Sequence, residues 1–287
     1  MIDTTAERIT STQNPKIKNV LLLQQKSSER RRQRLFVVEG QREIMHCVEA
    51  GYTVRTLFVC PEICGNEIAD NVIRECGKAQ GAQVLTQGPQ QLTQGSRLQV
   101  LEVSRQVYEK MAYRAGTEGM IGVIEAQQRS LADLQLPDNP LLVVLESVEK
   151  PGNLGAVLRS ADASGADAVI VCDPLTDLYN PNLIRSSIGS AFTVPVVACT
   201  SEECISFLKS YGVRILTAQL QDSELYYDTD MRCGTAIIMG TESTGLTDIW
   251  RKAADAHIRI PMFGRLDSLN VSVSAAILLY EAVRQRN

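Results

Sequence analysis

The sequence predicts an α/β protein with a parallel sheet in its C-terminal domain and a smaller α/β domain before it. Continuous apolar runs at residues 141–145 and 235–239 are typical of parallel strands that helices cover on both faces. Segments with helical spacing alternate with such runs along the chain. The polar stretch 127–139 contains a proline and is typical of a connection between domains. We therefore predict domains at residues 1–129 and 130–287.

Short β-branched or aromatic runs that alternate with helical patterns predict the individual elements. In the smaller domain the predicted strands are residues 35–38, 54–60, 82–86 and 120–126, and the predicted helices are 42–50, 67–80 and 104–111. In the larger domain the predicted strands are 141–145, 168–171, 193–197, 213–218 and 235–239, with helices at 156–164 and 201–210. The chain ends in a predicted helix with Ser268 as its N-cap and with a buried face of Val271, Ala275, Leu278 and Ala282.

Charge and cysteine content exclude several classes of protein. The 287 residues carry a formal charge of −4, so any nucleic-acid surface must be a local patch. Eight cysteines without a C-x-x-C pair and two histidines fit neither a zinc site nor a disulfide framework. We therefore predict no metal, and free thiols in a reducing cytoplasm. No apolar run reaches the about 18 residues of a membrane span, so we predict no membrane partner.

Positive charge is concentrated near the N-terminus. Seven basic residues lie within positions 16–34 of this acidic chain: Lys16, Lys18, Lys26, Arg30, Arg31, Arg32 and Arg34. Lysine and arginine gain affinity for nucleic acids by displacing counterions from phosphates. The predicted phosphate contacts are Lys16, Lys18, Arg30, Arg31 and Arg32. A solvated charged helix is the alternative interpretation.

Three short motifs in the larger domain point to one ligand site. Residues 153–165 read NLGAVLRSADASG, residues 240–246 read GTESTGL, and residues 260–270 read IPMFGRLDSLN. In the second motif Gly240 permits a close backbone approach, and Gly245 permits a turn that most residues cannot make. Each motif alone is compatible with an ordinary helix start or loop. Together they predict a shared site, because ligands of α/β sheets gather at the carboxyl ends of the strands.

In this order the three motifs resemble those of the SpoU/TrmH branch of the SPOUT RNA methyltransferases. Residues 11–18 (STQNPKIK) and 36–40 (FVVEG) resemble the substrate-binding domain that precedes many of these enzymes. The resemblance implies a SPOUT-type knotted domain and S-adenosylmethionine as methyl donor. It implies a ribose 2′-hydroxyl of RNA as the acceptor, with 23S ribosomal RNA as the leading candidate substrate. It also implies a homodimer and no DNA partner. Transfer RNA as substrate, a catalytically silent RNA-binding factor and a small-molecule nucleotide enzyme are the alternatives.

The resemblance also assigns roles to individual residues. The implied catalytic residues are Asn153, Arg159, Glu242, Ser268 and Asn270. The implied cofactor contacts are Ala218, Gln219, Leu220, Met239, Gly240, Thr241, Glu242, Ile260, Pro261, Met262, Ser268 and Leu269, and Arg185 is implied to border the RNA. Methyl transfer from a sulfonium needs no metal, because the leaving group is already good. An arginine has a pKa above about 12 and keeps its proton, so we expect Arg159 to act electrostatically.

Overall fold

The computed structural model describes residues 8–81, 84–85, 98–113, 118–241 and 244–287, with only the backbone described at 84–85. The chain divides into two compact units. The first comprises Met1–Gln127 together with Tyr179–Pro181, and the second comprises Gln128–Leu178 and Asn182–Asn287. Within the described ranges, no helix has the length and apolar character that a membrane crossing requires.

The first unit is a five-stranded mixed sheet with helices against it. Its strands are β1 (Leu35–Glu39), β2 (Val54–Val59), β3 (Val84–Leu85), β4 (Leu98–Glu102) and β5 (Met120–Glu125), in the spatial order β1-β5-β2-β4-β3. Its helices are α1 (Pro15–Gln25), α2 (Ser27–Gln33), α3 (Gln41–Glu49), α4 (Pro61–Cys64), α5 (Asn66–Gln80) and α6 (Arg105–Met111). Strand β5 is antiparallel to β1 and β2, whereas β2, β4 and β3 run parallel.

The sequence prediction for the first unit did not include strand β4 or the short helix α4. Strand β4 is short and Gln99 interrupts its apolar run, although its buried side chains, Leu98 and Val100, alternate as a half-buried strand requires. Of the predicted strand 82–86, the described part is β3. The basic run spans two helices, because the backbone at Lys26 is extended and ends α1 before α2 begins.

The second unit is a seven-stranded sheet in which every pairing of its described strands is parallel. Its strands are β6 (Leu141–Glu146), β7 (Ala168–Cys172), β8 (Val196–Cys199), β9 (Arg214–Ala218), β10 (Glu224–Leu225), β11 (Thr235–Met239) and β12 (Ala256–Arg259), in the order β10-β12-β9-β11-β6-β7-β8. Its helices are α7 (Pro151–Ser164), α8 (Pro181–Ser187), α9 (Ser190–Thr193), α10 (Ser201–Ser210), α11 (Asp248–Ala253) and α12 (Val271–Arg286).

Both faces of this sheet are buried, as the continuous apolar runs predicted. Along β6, Leu141, Val143 and Leu145 pack into one core while Leu142 and Val144 pack into the other. Each such side chain contributes about 1.5–3 kcal/mol when it leaves water. Helices α7 and α12 pack together on the first face. The predicted buried face of α12 is confirmed, since the first core contains Val271, Ala275, Leu278 and Ala282.

Two predicted boundaries in the second unit are wrong. Helix α7 begins at Pro151 rather than at residue 156, because a proline in the first helical turn loses no hydrogen bond and has a suitable φ angle. The predicted strand 193–197 begins only at Val196. Residues 190–193 form the helical turn α9, and Pro195, which has no N–H for a sheet ladder, separates the two. Strand β12 lies between β10 and β9 in the sheet, and the short helix α11 precedes it in the chain.

Candidate active site

A cavity of about 340 Å³ opens at the carboxyl ends of β9, β11 and β12, beside the loop that leads into α12. Parallel strands end at a common edge, so the residues that follow them come together there. Ten of the predicted cofactor contacts line this cavity: Ala218, Gln219, Leu220, Met239, Gly240, Thr241, Ile260, Met262, Ser268 and Leu269. Pro261 is not among the lining residues. Glu242 lies outside the described residues.

The described residues of the second motif, 240–241 and 244–246, line the cavity. A side chain on Gly240 would overlap the backbone carbonyl of Gly245, and Gly245 has a φ angle of +68°. The backbones of Thr241 and Gly245 exchange two hydrogen bonds, of 3.3 and 3.1 Å. The roles predicted for the two glycines are therefore confirmed.

The cavity wall combines apolar surface with one unsatisfied polar atom. Met239 is buried, and Ile258 and Ile260 add further apolar surface. Gln219 donates from Nε2 to the carbonyl oxygen of Gln221 at 2.9 Å, whereas its buried Oε1 accepts no hydrogen bond within the described part of the chain. An unsatisfied buried acceptor costs about 1–3 kcal/mol.

A second cavity of about 110 Å³ lies between residues of the first and second motifs. Asn153, in the first turn of α7, contributes to its wall, and Gly240 and Thr241 line both cavities. The Nδ2 of Asn270 donates to Oδ1 of Asn153 at 3.2 Å. The three motifs therefore converge on one edge of the sheet.

The N-cap of α12 is Asn270, and the prediction of Ser268 for this role is wrong. Oδ1 of Asn270 accepts from the backbone N–H of Ser272 at 3.0 Å and from its hydroxyl at 2.6 Å. Ser268 lies two residues earlier, in the exposed loop, where it lines the larger cavity instead. Asn270 thus fixes the helix start and the contact with the first motif at the same time.

Arg159 does not line either cavity of its own chain. It lies on α7 six residues after Asn153, which places it about 9 Å further along the axis and roughly a third of a turn around it. Its side chain is exposed and makes no hydrogen bond or ion pair with any described residue.

The basic N-terminal residues separate into an exposed group and one buried member. Lys16, Lys18, Arg31 and Arg32 are exposed, and Arg32 pairs with Glu29 at 2.5 Å. Arg185, in the second unit, is also exposed.

Arg30 is only 4% exposed, which contradicts its prediction as an RNA contact. It donates to the carbonyl oxygens of Leu23 at 2.6 Å and Gln24 at 3.2 Å. The last carbonyls of a helix have no partner inside the helix, and Arg30 satisfies two of them at the end of α1. A run of basic letters does not distinguish this structural role from an RNA contact.

The cavity also contains residues that the sequence did not predict. Arg259 directly precedes the third motif and Asp267 lies within it, next to the predicted Ser268. Arg251 lies on α11, which was not predicted, and no motif marks it.

Comparison with known proteins now identifies the family. Residues 140–280 match the family model described as the SpoU rRNA Methylase family, and residues 14–122 match the MRM3-like substrate binding domain. A 23S rRNA (guanosine-2′-O-)-methyltransferase RlmB from Vibrio cholerae is 36% identical over 65% of this chain and 78% of the relative. The chain belongs to the SpoU rRNA methylase family.

Two further proteins match this chain over nearly its full length. A 23S rRNA (uridine(2479)-2′-O)-methyltransferase from Streptomyces viridochromogenes is 29% identical over 98% of this chain and 93% of the relative. The crystal structure of an AdoMet-bound rRNA methyltransferase from Sinorhizobium meliloti has a TM-score of 0.84 and 27% identity, and covers 97% of both chains. The family resemblance and the α/β fold class predicted from the sequence are confirmed.

Proposed function

We propose that this SpoU-family chain transfers a methyl group from S-adenosylmethionine to a ribose 2′-hydroxyl of 23S ribosomal RNA. Family membership supports the reaction class, and the matched relatives carry this activity in their names. The observation that carries the proposal is the convergence of the three motifs, in which Asn270 donates to Asn153 beside the cavity bordered by Gly240.

The larger cavity suits S-adenosylmethionine. Its volume of about 340 Å³ falls within the roughly 300–1,000 Å³ of small-molecule sites. The apolar wall at Met239, Ile258 and Ile260 fits a purine ring. Ser268 and Leu269 complete the wall on the side of α12, and Glu242 in the second motif remains a proposed contact.

The bound cofactor supplies a methyl group on a positively charged sulfur, and such a sulfur leaves without the help of a metal. The residues of the chain provide position and charge. Asn153 and Asn270 hold the first and third motifs together, so that a ribose at the smaller cavity is fixed beside the larger one. Arg159 remains protonated. Its charge stabilises the oxygen as the 2′-hydroxyl loses its proton, and it also holds a neighbouring phosphate.

We further propose that the enzyme is a homodimer in which Arg159 serves the cavity of the partner subunit. Within one chain Arg159 lines neither cavity. Helix α12, which packs beside α7, exposes Val273 by 47% and Tyr280 by 50%. These residues are seven apart and share a helix face with Ile277, so they form an apolar stripe that a second copy would cover. The trefoil knot of the family and a cytoplasmic location, which follows from a ribosomal substrate, belong to the same proposal.

We also propose that the first unit binds the substrate RNA through the exposed Lys16, Lys18, Arg31 and Arg32, while Arg185 contributes from the second unit. These cations lie in a chain of negative net charge, and such local clusters bind phosphates by releasing counterions. The match of residues 14–122 to a substrate-binding domain supports this division between a binding domain, residues 1–129, and a methyltransferase domain, residues 130–287.

Methyl transfer from radiolabelled S-adenosylmethionine tests the reaction. We expect label in 23S ribosomal RNA and none in 16S ribosomal RNA or transfer RNA. Label in transfer RNA alone would replace the proposed substrate. Stoichiometric cofactor binding without transfer to any RNA would identify a silent RNA-binding factor instead.

Subunit complementation tests the dimer. Arg159→Ala removes the proposed guanidinium, and Gly240→Ala damages the cavity. Random dimers of the two variants should recover about one quarter of wild-type activity, because half of the dimers are mixed and each mixed dimer contains one intact site. No recovery would place Arg159 in the site of its own chain.

A further inference from the structure

Three cysteines from three separate elements meet in the second unit, away from the cavities described above. Cys172 ends β7, Cys199 ends β8, and Cys204 lies in the first turns of α10. The Sγ atoms of Cys172 and Cys199 are 4.0 Å apart, and all three Sγ atoms lie within 4.8 Å of one another. No C-x-x-C spacing marks this trio, so its convergence is visible only in the fold.

The sheet and a helix cap fix this arrangement. Strands β7 and β8 are parallel neighbours, and Cys172 is paired with Cys199 in their register. Immediately after β8, Thr200 caps α10 through a reciprocal pair of hydrogen bonds with Glu203, of 2.8 and 3.2 Å. The cap turns the chain back over the strand ends, which brings Cys204 to the two strand cysteines.

The sulfur separations match those of a metal thiolate centre. A zinc–sulfur bond of about 2.3 Å places the sulfurs of a trigonal three-thiolate site about 4.0 Å apart and those of a tetrahedral site about 3.8 Å apart. The observed 4.0 Å between Cys172 and Cys199 already has this value. The remaining separations are at most 4.8 Å, so Cys204 needs to move by less than about 1 Å.

The electrostatic surroundings also favour a cation. The carboxylates of Asp173, directly after β7, and Glu203, in the first turn of α10, lie near Cys199 and add negative charge beside the three sulfurs. Cys199 also gives an ion access from solvent.

We propose that Cys172, Cys199 and Cys204 form a binding site for a divalent d¹⁰ metal ion of the zinc class. Three metal–sulfur bonds replace the S–H bonds of the three cysteines, the three protons go to solvent, and no atom changes oxidation state. The partly exposed side of Cys199 leaves room for water as a fourth ligand. Because the ligands come from two strands and a helix, the ion would tie α10 to the edge of the sheet.

Titration of the reduced, metal-free full-length protein with Cd²⁺ tests the site. We expect an ultraviolet thiolate-to-cadmium absorption band that saturates at one ion per chain and that Zn²⁺ reverses by competition. Cys199→Ser should weaken the affinity at least about ten-fold. Cys172→Ala and Cys204→Ala should do the same, although these buried changes also create cavities. Thermal melts monitored by circular dichroism identify any variant that fails to fold.

Two control variants separate the trio from the other thiols. Cys233→Ser removes an exposed cysteine of the same unit, and Cys76→Ser removes a buried cysteine of the first unit. Both should leave the cadmium titration unchanged. Absence of a saturable band in the wild-type protein, or an unchanged affinity in folded Cys199→Ser, would overturn the proposal. A Cys172–Cys199 disulfide formed under mild oxidation, in a protein that binds no cadmium when reduced, would identify a redox pair instead.

Discussion

The two hydrogen bonds of Asn270 allow the folding role of this residue to be separated from its role in catalysis. Its Oδ1 caps α12 by accepting from the N–H of Ser272, and its Nδ2 donates to Asn153. Asn270→Asp keeps an acceptor for the cap and removes the donor. Asn270→Ala removes both. The two variants therefore differ in stability but share the loss of the contact between the motifs.

The expected changes in stability and in kcat follow from the two contacts that each variant loses or keeps. Loss of an asparagine cap costs about 1 kcal/mol, which lowers the melting temperature of a domain of this size by about 2–4 °C. Asn270→Asp should leave stability within about 0.5 kcal/mol of wild type, since a negative charge is favourable at a helix N-terminus. A carboxylate facing Oδ1 of Asn153 repels it, however. A displacement of about 1 Å at a reacting centre lowers the rate up to roughly a hundred-fold, so we expect kcat to fall roughly ten- to hundred-fold in both variants.

Thermal melts and single-turnover methylation at saturating RNA measure the two effects on the same samples. Asn14→Asp is the matched control, because Asn14 caps α1 by accepting from the N–H of Lys16 at 2.9 Å and lies in the other unit. It should change neither stability nor kcat. Full activity in Asn270→Asp would refute the positioning role of the contact with Asn153. A loss of stability in Asn270→Asp equal to that in Asn270→Ala would refute the cap argument.

Three further substitutions test other parts of the structure. Gly240→Ala forces a side chain into a neighbouring backbone. Overpacking of this kind costs about 1–3 kcal/mol, so calorimetry should show S-adenosylmethionine binding weakened by roughly 5- to 150-fold. The control Gly264→Ala, whose side chain would meet open space, should bind the cofactor normally. Arg159→Ala should abolish methyl transfer while cofactor affinity stays unchanged, and residual transfer near the wild-type rate would contradict its role. Arg30→Ala should lower the free energy of unfolding by about 1–3 kcal/mol. Arg31→Ala should preserve stability and reduce the salt slope of RNA binding by about 1. The reverse pattern would show that Arg30 contacts RNA and that Arg31 does not.

Local chemistry made much of the candidate site predictable. Gly240 follows the apolar strand β11 directly and lies where a side chain would overlap a neighbouring backbone, and Gly245 has the positive φ angle that favours glycine. Asn153 and Asn270 lie in loops or helix starts that follow strands, so the edge rule for parallel sheets brings them together. These features depend on short stretches of sequence and on the fact that parallel strands end at a common edge of the sheet.

Features that depend on the packing of distant segments were not predictable. The sequence gives Arg30 and Arg31 the same charge, and only the end of α1 decides that one is buried. The spacing of the cysteines argued against a metal site, yet the register of β7 and β8 and the cap of α10 bring three sulfurs together. The first motif contains both Asn153 and Arg159, yet only Asn153 lines one of the two cavities, which the motif alone did not indicate.

The convergence of three motifs on one ribose-methylating cavity is tested most directly by the position of the new methyl group. Ribosomal RNA treated with the enzyme and S-adenosylmethionine is hydrolysed in alkali, which cleaves every linkage whose 2′-hydroxyl is free. We predict one resistant linkage at a single nucleotide of 23S ribosomal RNA, formed roughly ten- to hundred-fold more slowly with Asn270→Asp. Complete cleavage of RNA that nevertheless carries the methyl label would place the methyl group on a base and contradict the proposed chemistry.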